Sequence, residues 1–125
     1  MTDSRPVYLN LFKIRLPITG VVSFAHRVSG FLLFLAIPFS IYIIDLTLAS
    51  ESGFERAMQM IKHPLMQAIL LLLVWSFVHH LLAGIRYLAL DFDLGIEKNS
   101  SKISAMIVLV SEISIIAAYI WGIML

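Results

Sequence analysis

The sequence predicts an all-α membrane protein with three transmembrane helices, and three observations carry that prediction. Of its 125 residues 60% are hydrophobic and 14% charged, with a mean hydropathy of +0.94. Soluble domains sit near ~45–50% apolar and ~25% charged. Three apolar stretches are long enough to cross a bilayer, which takes roughly 20 residues. The segments between them, 49–62 and 91–102, are polar. The net charge of +1 leaves no electrostatic footprint for nucleic acid. With no cysteine there is no disulfide, thiolate metal site or cysteine nucleophile. One small bundle, residues 1–125, is all the length permits.

Residues 1–20 mix Arg5, Lys13 and Arg15 with Val7, Leu9, Leu11, Phe12, Ile14 and Leu16, punctuated by Pro6 and Pro17. They read as an interfacial lead-in. The first ten residues lack a signal-peptide core, and Asp3 argues against a transit peptide. A bacterial inner-membrane protein inserted by its own spans is the expectation.

The first span covers about 21–48 and contains Pro38, which membrane helices tolerate. Its opening turns carry Ser23, His26, Arg27 and Ser29, with Ser23 and Arg27 on one face. A short surface helix is expected around 54–61. The second span, about 64–90, opens on His63-Pro64, with proline at a tolerated first-turn position; His63 lies beside water and reads as unimportant. The third span, about 103–125, carries Glu112 near its middle, either a functional group or one paired with a neighbouring helix. Three spans put residue 1 and the 91–102 connection on one side. Seven of the nine lysines and arginines lie there, with only Arg56 and Lys62 opposite, so the N-terminus is predicted to be cytoplasmic.

The second span is where chemistry concentrates. His79 and His80 lie in its apolar part, with Gly84 one turn after His80 and Arg86 about 9 Å nearer the surface. Buried ionisable groups in a span mark function by default. Ser23, His26 and Arg27 share a membrane level with Arg86, and His80 lies beneath them. That arrangement suits a b-type haem, which needs neutral imidazole, an apolar slot and cations for its propionates. His80 supplies the axial ligand to iron; His26, Arg27 and Arg86 hold the propionates. His79 competes for the iron but points about 100° away, and Gly84, which opens space for a flat ligand, favours His80. A quinone site is the second use of the same edge, with Ser23 and Arg27 as hydroxyl and cation. Ser23 could instead bond its own backbone, and Arg27 could snorkel to lipid phosphate.

Arg5-Pro6-Val7-Tyr8-Leu9-Asn10-Leu11, Ile14-Arg15-Leu16-Pro17-Ile18-Thr19, Ser23-Phe24-Ala25-His26-Arg27-Val28-Ser29-Gly30, and His80-Leu81-Leu82-Ala83-Gly84-Ile85-Arg86 with Asp91 resemble the cytochrome b556 membrane-anchor subunits of bacterial succinate dehydrogenase. The resemblance runs nearly end to end. It implies a second small anchor subunit, with one haem b held by one histidine from each. It places the axial ligand on His80, the ubiquinone pocket on Ser23 and Arg27, and the haem propionates near His26 and Arg27. It further implies a flavoprotein and an iron–sulfur protein on the cytoplasmic face, delivering electrons from succinate to quinone. The chain by itself is then not a catalyst. Tyr87 stands where many relatives have histidine, and Glu112 matches no family element. Two alternatives remain: an anchor of a quinol:fumarate reductase, and a small proton-relay or assembly protein without haem.

Overall fold

A computed structural model describes residues 15–124. The lead-in before Arg15 and the final residue of the third span fall outside them. Four helices follow in order: α1, Ile18–Ala49; α2, Glu51–Lys62; α3, Pro64–Asp91; and α4, Lys98–Met124. No strand occurs among the described residues. Helices α1, α3 and α4 are long and apolar enough to cross a membrane, so this is a multi-pass all-α membrane protein.

Each boundary has a local cause. Pro17 precedes α1 in extended conformation, and its carbonyl accepts from Gly20 and Val21. The helix starts three residues before the apolar stretch because backbone bonding, not hydropathy, sets a helix end. Ser50 separates α1 from α2 and caps the latter, its Oγ accepting from Gly53 N at 3.0 Å. A side chain at Gly53 would strike the Leu46 carbonyl, which lets the two helices fold back on each other. His63 caps α3, its Nδ1 accepting from Leu65 N at 3.3 Å ahead of Pro64. The turn into α4 passes through Asp93 (φ 60°) and Gly95 (φ 73°), left-handed backbone that glycine adopts without penalty and Asp tolerates. α4 begins five residues before the predicted span, because Ser101 and Ser104 belong to its first turns.

The interior is small and unusually polar. Val22, Ala83, Ala105 and Val108 form the apolar core, yet Ser29, Ser76, His79, Arg86 and Glu112 are buried with them. Large apolar side chains such as Phe24, Phe31, Phe34, Ile113 and Trp121 point outward. Lipid is as apolar as leucine, so burying such groups between helices contributes little. Close approach at small residues and polar bonds between helices position the bundle instead. α1 and α3 share its largest interface.

Candidate functional site

The antiparallel packing of α1 on α3 brings the polar opening of the first span against the histidines of the second, with His26 level with His80 rather than with Arg86 as the sequence suggests. His26 and His80 stack face to face, with ring centroids 4.1 Å apart and planes 7° from parallel. His80 Nδ1 lies 3.2 Å from the His26 carbonyl. Ser29 Oγ is 3.4 Å from the same nitrogen, but its own proton is directed to the His26 carbonyl at 2.9 Å. His80 Nδ1 therefore meets two acceptors and carries the proton. That fixes the tautomer and leaves the Nε2 lone pair as the donor a metal would take.

Space for this ring comes from α1. A Cβ placed on Gly30 would sit 2.8 Å from His80 Cε1 and 3.2 Å from Nδ1. Gly84, the glycine the sequence points to, faces His26 Nε2 instead, at 3.7 Å from where its Cβ would be. Only Gly30 clears space for a histidine; a Cβ on Gly84 would make ordinary contact with His26.

His79 is fully buried and differently employed. Its Nδ1 pairs with Glu112 Oε2 of α4, and its Nε2 faces the Val22 carbonyl of α1 at 3.3 Å. Trp75, one turn earlier, stacks on the ring at a centroid distance of 5.6 Å. Both nitrogens are engaged, so no lone pair is left for a metal. The sequence flags His79 and Glu112 separately; their common depth in adjacent antiparallel spans is the signal that joins them.

Arg86 is also buried rather than turned to the surface. Nε donates to Ser104 Oγ at 2.9 Å, and Nη2 donates to the Ser101 carbonyl at 3.1 Å and to Ser101 Oγ at 2.8 Å. These are neutral acceptors, and no carboxylate pairs with it among the described residues. The guanidinium joins α3 to α4 while keeping its charge near Tyr87, whose ring centroid is 5.4 Å away. Arg86→Ala should leave these serine groups short of a donor and lower bundle stability by about 1–3 kcal/mol. Thermal retention of the membrane complex in detergent measures it.

Tyr87 sets its ring edge-on to His26, at 5.1 Å and 62°. Its hydroxyl is buried with no hydrogen-bond partner among the described residues. Ser23 is half-buried and Arg27 exposed on α1, with the Arg27 guanidinium 6.0 Å from the Phe24 ring centroid. His63 is occupied as a helix cap. No cluster of three or more metal-ligating side chains occurs among the described residues.

Three apolar spans with imidazoles and a buried cation between them define a polytopic membrane protein with a polar site among its helices. Comparison with known proteins gives the family. Residues 1–119 match the model for the succinate dehydrogenase/fumarate reductase transmembrane subunit, and the chain belongs to that family. It is 36% identical over 126 residues to a succinate dehydrogenase cytochrome b556 subunit of Coxiella burnetii, covering 97% of this chain and 98% of the relative. A Paracoccus denitrificans protein of the same description is 27% identical over 123 residues, covering 94% and 95%.

Proposed function

We propose that this chain is the haem-b-carrying membrane anchor of a succinate:ubiquinone oxidoreductase. In this reading it lies in a bacterial inner membrane with its N-terminus in the cytoplasm. A second small anchor subunit would pack beside it and supply a second histidine for the haem. An iron–sulfur protein and a flavoprotein dock on the cytoplasmic end. Both relatives described above are named for succinate dehydrogenase, which favours that direction over fumarate reduction.

The observation that carries the reading is the Nδ1 proton of His80 held by the His26 carbonyl, with Nε2 left as an electron-pair donor. The surroundings fit a haem. Gly30 gives the imidazole room, and the Tyr87 hydroxyl is a buried donor awaiting an acceptor. His80 would hold the iron; His26, Arg27, Tyr87 and the charge of Arg86 would hold the propionates. When bound, the haem supplies a one-electron carrier.

Quinone reduction adds two electrons and two protons across the two carbonyl oxygens. Ser23 and Arg27, one turn apart on the cytoplasmic end of α1, would donate to one of them. The Ser23 hydroxyl fixes the ring orientation, and the Arg27 cation favours charge developing on oxygen. Among the described residues at this end of α1, the bond back to the helix backbone is made by Ser29.

The test separates quinone chemistry from succinate oxidation. Ser23→Ala and Arg27→Leu should each lower quinone reductase activity about tenfold or more, the equivalent of one lost hydrogen bond of about 1.4 kcal/mol. Succinate oxidation by an artificial acceptor should stay near wild type. Loss of both activities in an assembled complex contradicts the pocket assignment.

A further inference from the structure

We propose that the buried His79–Glu112 couple is a positioning device that fixes the rotation of α3 and so aims His80 at the iron. The inference rests on the haem reading above. His79 is held from both sides, by the Val22 carbonyl of α1 and by Glu112 of α4. His80, the next residue, bonds the His26 carbonyl of α1. Two consecutive imidazoles of α3 thus dock on carbonyls four residues, or one turn, apart on α1. Each carbonyl has a second lone pair beyond its helical bond, so both contacts form without unravelling α1.

Geometry gives the couple its leverage. A ring edge about 6 Å from the helix axis moves about 1 Å when the helix turns by about 10°. A working ligand needs placement within about 0.5 Å. The apolar contacts around α3 resist such a rotation weakly, since lipid replaces them at little cost. A buried hydrogen-bonded pair anchored to two other helices resists it strongly. Nε2 faces the Val22 carbonyl and Nδ1 pairs with the Glu112 carboxyl, so neither buried polar group is left without a partner inside the membrane.

The test uses the purified complex and reads haem rather than turnover. Glu112→Gln keeps a hydrogen-bonding group opposite His79 and should retain haem within about threefold of wild type. The double variant His79→Leu/Glu112→Leu removes both partners and leaves no orphaned polar group. It should accumulate in the membrane, lose haem affinity about tenfold or more, and show a shifted haem reduction potential. A double variant with wild-type haem retention and potential overturns the proposal. So does one that fails to assemble, since the couple would then hold the bundle rather than aim the ligand. A wild-type complex without haem overturns the haem reading itself, and this inference with it.

Discussion

Replacing His80 by alanine should strip haem from an assembled complex, while replacing its neighbour His79 should not remove the ligand. The two side chains are adjacent in sequence and opposite in employment. His79 has a partner at each nitrogen, whereas His80 keeps Nε2 free by donating Nδ1–H to a backbone carbonyl. On the proposed haem reading, His80→Ala removes the ligand to iron, and haem content is expected to fall more than about tenfold. His79→Ala leaves Glu112 buried without a partner, a stability cost of about 1–3 kcal/mol or more, but iron keeps its ligand. His79→Ala should also weaken haem binding through the lost positioning couple, so the spectrum of the haem that remains separates the two: a b-type α band at reduced occupancy for His79→Ala, and none for His80→Ala. The reverse pattern would move the axial role to His79.

Gly30→Ala should be nearly as damaging, although Gly30 carries no chemistry of its own. The added Cβ would lie 2.8 Å from His80 Cε1, closer than such atoms approach without displacement. The ring must swing away from the His26 carbonyl, losing the bond that sets its tautomer. Losses of this supporting kind cost about 10–100-fold in metal affinity. Gly84→Ala is the control, because its Cβ meets only ordinary van der Waals contact with His26. Haem retention on dilution should fall for Gly30→Ala and hold for Gly84→Ala; equal behaviour would show that Gly30 does not shape the site.

Helix positions in this chain follow from its sequence, whereas the rotation of each helix about its axis does not. The spans were legible because lipid demands long apolar helices, and charge marks where they end. That the polar start of the first span faces the histidine end of the second was legible from topology, since the two run in opposite directions; the exact level was not, and His26 meets His80 rather than Arg86. What could not be read was rotation about each helix axis. Apolar residues surround α3 on most sides, so periodicity does not say which face turns inward. That is why Gly84 stood in for Gly30, a residue 50 positions from His80 in sequence. It is also why Arg86, expected at the surface with free donors, proves to be bonded into α4 through Ser101 and Ser104. The pairing of His79 with Glu112 depended on the same rotation, and only their equal depth hinted at it.

The central claim is that His80, with its tautomer fixed by α1, presents an imidazole nitrogen to a haem iron. The most direct measurement is the dithionite-reduced minus oxidised spectrum of the complex purified through this chain. A b-type α band that is present in the wild type and absent in an assembled His80→Ala complex is the predicted result. A wild-type complex with no such band, or a His80→Ala complex with the band undiminished, would contradict it.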